Sequence, residues 1–146
     1  MFVTMFLAVV DLRSGALRYA SAGHNRPFLI GNACGVTQVP HTRGVALGAR
    51  AGIVYDEGAL RLAPGDTLYL YTDGVSEAMD ASDRVYSEER LGADLARLGA
   101  HSCSDLLQAL LAILSEHAAG VEQSDDITML ALRYRGPQTA ARPEDV

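Results

Sequence analysis

The sequence predicts an α+β fold built mainly on antiparallel sheet. Three observations point there. Short β-type runs separated by turn residues fill the first half, two leucine stripes at helical spacing follow, and one more β-type run closes the patterned region. The chain has 146 residues, of which 49% are hydrophobic and 21% charged. That make-up fits one globular domain and argues against disorder.

Residues 1–10 (MFVTMFLAVV) are apolar on both alternating faces, with Thr4 the only polar side chain. Such a run is expected in the middle of a sheet, covered on both sides. Residues 11–15 (DLRSG) are turn formers, so 16–21 reads as the return strand of a hairpin. Further strands are expected at 27–30 and 36–39, joined by the turn GNACG. Residues 40–52 hold Gly44, Gly48 and Gly52. No Gly-Lys pair follows, so a phosphate-binding P-loop is ruled out and an ordered surface loop is expected. Residues 55–62 and 67–71 are β-type and flank Pro64-Gly65-Asp66, which reads as a hairpin turn.

Residues 75–85 read as loop with one helical turn. Leu91, Leu95 and Leu98 then mark one face of a helix over 88–98. A second helix starts at Ser102 or Ser104, presents Leu106, Leu107, Leu110, Leu111, Ile113 and Leu114, and ends by Gly120. Residues 127–134 (ITMLALRY) form the last strand. From 136 to 146 the chain is Pro-, Thr- and Glu-containing with little apolar content, and reads as a disordered tail behind a single domain over 1–135.

Composition excludes several functions. The 18 acidic and 12 basic residues give a formal charge of −6, which speaks against nucleic acid as a partner. Every basic residue is Arg, so lysine nucleophiles and Schiff bases are excluded. No apolar run reaches the ~18 residues that span a bilayer. The apolar start lacks a basic n-region and is followed at once by Asp11 and Arg13, unlike a signal peptide. A cytoplasmic chain with no membrane partner is expected. Cys34 and Cys103 form no C-x-x-C, which argues against a cysteine zinc site; a reduced pair is expected, and a disulfide stays open.

The chemistry is expected at strand ends. Asp73 closes a strand in Thr72-Asp73-Gly74, and Asp125-Asp126 opens the last one. If those strands are neighbours, three carboxylates meet at one sheet edge, where a proton or a cation must offset their repulsion. Mg²⁺ or Mn²⁺, which take oxygen ligands, are the natural partners. Each motif alone is an ordinary turn. His24 and Asn25, in Ala22-Gly23-His24-Asn25, lie at another strand end and are near-site candidates, though a lone His is more often structural.

In this order, "MFVTMFLAVVD", "LRYASAGHNRPFLI", "LAPGDTLYLYTDGVSEA" and "QSDDITMLALRY" resemble the C-terminal part of the SpoIIE/RsbU branch of metal-dependent, PP2C-type serine phosphatases. The resemblance runs from Met1 to about Tyr134. It implies a PP2C-like layered α-β-β-α sandwich of mainly antiparallel sheets. It also implies two Mn²⁺ or Mg²⁺ ions and a bridging water that attacks phosphoserine or phosphothreonine, with no covalent intermediate. Asp73 matches the aspartate of the family's Asp-Gly motif and Asp125 the first of its Asp-Asp motif, both metal ligands and the catalytic centre. Asp126 is implied to bind metal through water or to hold Asp125, with Gly74, His24 and Asn25 beside the site. The substrates implied are phosphorylated STAS-type anti-sigma-factor antagonists of bacterial partner switching.

The family pattern also has strands, two helices and a Gly-Asp-x-x-Asp motif ahead of the Met-Phe-Val-Thr strand. Gly65-Asp66 is the only Gly-Asp pair among the first 66 residues, and it lies in the 64–66 turn. The domain is therefore expected to be incomplete at its N-terminus, with one helix pair and one bare sheet face. Three explanations stand: a fragment, a half-domain completed by another chain or by a homodimer, or a non-catalytic interaction module.

Overall fold

A computed structural model of the chain describes residues 1–31, 35–121, 123 and 125–137. Cys34, Ser124 and most of the expected tail lie outside the described residues. Two antiparallel sheets stack face to face. The first has the order β1-β2-β5, from β1 (Met5–Val10), β2 (Ala16–Ala22) and β5 (Glu57–Arg61). The second has the order β4-β3-β6-β7, from β3 (Phe28–Gly31), β4 (Gly35–Gln38), β6 (Thr67–Tyr71) and β7 (Met129–Arg133). Helices α2 (Glu88–Leu98) and α3 (Cys103–His117) cover the outer face of the second sheet, and a short α1 (Asp73–Ser76) follows β6.

The expected 1–10, 16–21 pair is a hairpin. Its turn is held by Asp11, whose Oδ1 accepts from Arg13 N at 2.8 Å and Ser14 N at 3.2 Å. Gly15 closes it with φ +71°, and a Cβ there would lie 2.2 Å from the Leu62 carbonyl oxygen, so glycine is required.

Two apolar clusters hold the layers. Between the sheets lie Leu17, Tyr19, Val39, Leu62, Leu68 and Tyr134, with Phe6, Ala8 and Val10 packed against them. Between the second sheet and the helices lie Phe28, Ile30, Tyr69 and Tyr71 with Leu91, Leu95, Leu106, Leu110 and Leu114. Both helices start on serine caps: Ser87 Oγ accepts from Arg90 N at 3.3 Å, and Ser102 Oγ from Asp105 N at 3.1 Å. Cys103, a free thiol, opens α3.

Three expectations are corrected. The run 1–10 is not central: β1 is the edge of its sheet, and Met5, Leu7 and Val9 face outward, Leu7 60% exposed. The strand buried on both faces is β6, with Leu68 turned to the inter-sheet cluster and Tyr69 and Tyr71 to the helices. Apolar character on two faces marks a strand that could be covered, and β1 has described neighbours on one side only. Residues 55–62 and 67–71 also do not pair as a hairpin, since β5 and β6 belong to different sheets. The 64–66 turn instead bonds to the end of β7. Gly65 N donates to the Tyr134 carbonyl at 2.7 Å and Tyr134 N to the Asp66 carbonyl at 2.9 Å. Asp66 Oδ2 tightens the turn by accepting from Ala63 N at 2.8 Å. The chain thus steps from one sheet to the other at this point. Leu111, expected on the apolar face of α3, is 52% exposed.

Candidate metal centre

The site follows from the β6–β7 pairing. The strands are antiparallel with Tyr71 opposite Met129, so the end of β6 lies beside the start of β7. The ladder runs one step further at Thr72, whose N–H donates to the Thr128 carbonyl at 3.1 Å. The Thr72 hydroxyl then works both ways. It donates to the Asp126 carbonyl at 2.8 Å and accepts from Thr128 N at 2.9 Å. Beyond it one segment turns into α1, which begins at Asp73, and the other crosses as Asp125-Asp126.

Gly74 lets the two segments touch. A Cβ on it would stand 2.6 Å from the Asp126 carbonyl oxygen and 3.1 Å from that of Asp125. Replacing Gly74 by Ala is expected to push the 125–126 segment away and to cost about 1–3 kcal/mol, the range for overpacking. Urea unfolding checks this, and an unchanged midpoint would show that the approach is not tight.

The three aspartates are exposed at one sheet edge. Asp73 Oδ1 accepts from Gly74 N at 3.1 Å and Asp125 Oδ1 from Asp126 N at 2.7 Å, so each is oriented by the next amide. Neither Oδ2 bonds to another described residue. Among the described residues no group of three or more His, Cys, Asp and Glu side chains is placed so as to hold a metal ion. The expected three-carboxylate convergence is therefore a shared edge rather than a closed cage. Hard oxygen donors from one or two carboxylates, completed by water and a substrate phosphate, are what Mg²⁺ takes and Mn²⁺ accepts, so the residues present fit such an ion.

His24 sits in the β2–β3 loop, its Nδ1 3.4 Å from Thr4 Oγ1. Burial pulls its pKa below the usual histidine value, and the charge of Asp73 opposes that shift, which places His24 within electrostatic reach of Asp73. Asn25 lies instead against the Tyr71 hydroxyl. That hydroxyl donates to Glu88 Oε1 at 2.6 Å, and Gln38 Nε2 donates to Glu88 Oε2 at 2.9 Å. Burial, then the hydrogen bond and charge of Glu88, raise the Tyr71 pKa far above its ordinary range, so it stays a neutral donor. The Asn25–Tyr71–Glu88–Gln38 chain anchors the start of α2 to the sheet. Sequence reasoning missed this chain and the Thr72 clamp. A hydroxyl immediately before Asp-Gly at a strand end was the available signal for Thr72.

An apolar groove of about 590 Å³ opens beside Gly74. Met79, Leu111, Ala118, Val121 and Ile127 are among the residues lining it, between α1 and the end of α3.

Two stacked antiparallel sheets with a helix pair on one outer face match the layering of PP2C-type phosphatase domains. The PP2C domain of SiaA from Pseudomonas aeruginosa superposes with a TM-score of 0.76 at 27% identity, covering 90% of this chain and 51% of that one. The structure of the RsbU and RsbW domains of Rv1364c from Mycobacterium tuberculosis gives 0.72 at 29% identity, covering 93% and 37%. The chain belongs to the SpoIIE family, since the family model of stage II sporulation protein E matches residues 1–135. Among curated relatives, protein IcfG of Synechocystis is 34% identical over 136 residues, and phosphoserine phosphatase RsbU of Bacillus subtilis is 29% identical over 138. The alignments cover 92% of this chain in both cases, and the chain spans only 21% and 40% of those relatives. Among the described residues no helix is long and apolar enough to cross a membrane.

Proposed function

We propose that residues 1–135 are the C-terminal portion of a phosphatase domain that hydrolyses phosphoserine or phosphothreonine in a protein, with Asp73 and Asp125 as metal ligands. The observation that carries this reading is the Thr72–Asp126 clamp, which seats Asp73 against the Asp125-Asp126 segment. A bound Mn²⁺ or Mg²⁺ supplies water of lowered pKa and neutralises charge on the phosphoryl oxygens. Asp73 and Asp125 offer their carboxylate oxygens to that ion. Asp126 orients Asp125 through its backbone N–H and is available for a water-mediated contact. Thr72 and Gly74 fix the spacing, and His24 stands within electrostatic reach of Asp73.

Two relatives support the proposed substrate class. RsbU is a phosphoserine phosphatase, and Rv1364c joins an RsbU domain to an RsbW domain. A cytoplasmic phosphorylated STAS-type antagonist in a partner-switching circuit is the substrate this reading assigns.

The test is phosphate release from a phosphoserine peptide by this chain with Mn²⁺, then EDTA, then Mn²⁺ again. Turnover that stops with EDTA and returns with Mn²⁺ supports the reading. Mn²⁺ binding with no turnover calls for the same assay with the upstream coding region added: rescue supports part of a phosphatase domain, and no rescue favours the non-catalytic interaction module.

A further inference from the structure

We propose that the cleft between the β2–β3 loop and the segment after β4 is a carboxylate-binding subsite, which takes an acidic side chain flanking the phosphoserine of the protein substrate. The substrate role rests on the proposed phosphatase activity, while carboxylate binding at the cleft does not. Charge is segregated along the sequence. No Asp or Glu stands between Asp11 and Asp56, although the whole chain has a formal charge of −6. That stretch holds Arg13, Arg18, Arg26, Arg43 and Arg50, together with His24 and His41.

The fold sorts these cations. Arg13 lies in the β1–β2 turn, at the far end of the sandwich, and Arg18 is paired with Glu57. Arg26 and His24 fall in the β2–β3 loop, and His41, Arg43 and Arg50 in the connection between β4 and β5. Because β3 is antiparallel to both β4 and β6, the β2–β3 loop and the residues after β4 sit at the end where β6 runs into Asp73. His24, on the rim, is within electrostatic reach of Asp73. A basic rim thus stands beside the carboxylate edge.

Arg26 gives the rim a shaped site. Its Nε and Nη2 both donate to the Val39 carbonyl, at 3.2 and 3.0 Å, which pins one edge of a half-buried guanidinium. Its remaining N–H groups have no partner among the described residues, and no described carboxylate forms an ion pair with it. A planar fork held in this way suits two parallel hydrogen bonds to a carboxylate. The cleft in front of it measures about 40 Å³ and is lined by Arg26, His24, His41, Ser21 and Thr42 among others. That is room for about three waters, or for one carboxylate group in their place. No described Asp or Glu lines it. Its walls are fixed, since the Tyr19 hydroxyl donates to the Pro40 carbonyl at 2.8 Å and Ser21 N to Thr42 Oγ1 at 3.2 Å. In the proposed reaction the phosphoryl group goes to the ion at Asp73 and Asp125, so the cleft is left for a neighbouring side chain of the same substrate. An acidic segment is repelled by the aspartate edge and drawn to this rim.

An unphosphorylated serine peptide flanked by glutamates, and its counterpart flanked by glutamines, test the cleft by NMR titration without Mn²⁺. The parent chain is expected to bind the glutamate peptide at least about fivefold more tightly at low salt. The ring signals of His24 and His41 should move with that peptide and stay in place with the other. Arg26→Gln is expected to shrink the preference to under about twofold, the level left by exposed charges. Arg13→Gln removes the same charge at the far end of the sandwich and should keep the preference. If Arg26→Gln folds poorly, the ring signals of the parent give an independent reading. Equal binding of the two peptides by the parent would overturn the proposal. Equal losses in Arg13→Gln and Arg26→Gln would do so too, since they would show attraction by net charge alone. Inorganic phosphate bound more tightly than the glutamate peptide would overturn it in favour of a phosphoryl site. Neither peptide nor readout involves turnover, so a failure here leaves the metal centre standing, and a chain without turnover that keeps the preference would count only against the phosphatase reading.

Discussion

Asp73→Asn is expected to weaken Mn²⁺ binding at least tenfold, measured by calorimetry or by the loss of the free-ion EPR signal. The substitution keeps the shape of the side chain and an oxygen able to accept from Gly74 N, so α1 should stay in place. It removes one negative charge and a strong oxygen donor for a hard cation. Asp125→Asn is expected to act in the same way, and the double variant to bind no better than background. Asp83→Asn is the control. Asp83 is an exposed aspartate at φ 58° in the loop after α1, where Asn is tolerated, so binding should not change. Parent-like affinity in both Asp73→Asn and Asp125→Asn would show that the ion binds elsewhere.

The largest stability effect is expected at Leu110, fully buried between α3 and the second sheet. Leu110→Ala removes packed methyl groups and leaves a cavity, at a cost of about 2–5 kcal/mol. Leu111 is the neighbouring residue on the helix and is 52% exposed, so Leu111→Ala should change stability by under about 1 kcal/mol. Chemical unfolding of the two variants checks the rotation of α3. Equal losses would mean that α3 presents a different face to the sheet.

The contrast between Leu110 and Leu111 shows what the sequence could specify. Helical spacing located α2 and α3, because buried leucines three and four apart can only line up on a helix. It left the edge of the buried stripe open, since Leu107 and Ile113 are half-buried and Leu111 is exposed although all three are alike in chemistry. The β6–β7 neighbourhood was a conditional expectation, because β6 ends and β7 begins beside acidic turn residues, and that neighbourhood carries the candidate site. Sheet membership was not legible at residues 64–66. Pro-Gly-Asp signals a tight reversal, yet the partners that decide the sheet, Tyr134 and Leu62, are distant in sequence or neutral in pattern. The placement of β1 was misread for a related reason: a strand's composition does not reveal whether it has a neighbour. Within the site, the aspartates were visible from their motifs. Thr72 as a clamp and Gly74 as a contact needed the crossing geometry, because neither residue type is unusual beside an aspartate in a turn.

The most direct test of the central claim is a crystal structure of the chain grown with Mn²⁺ and measured at a wavelength where manganese scatters anomalously. The account predicts an anomalous peak within about 2.5 Å of carboxylate oxygens of both Asp73 and Asp125. A peak held by neither aspartate, or no peak at saturating Mn²⁺, would contradict it.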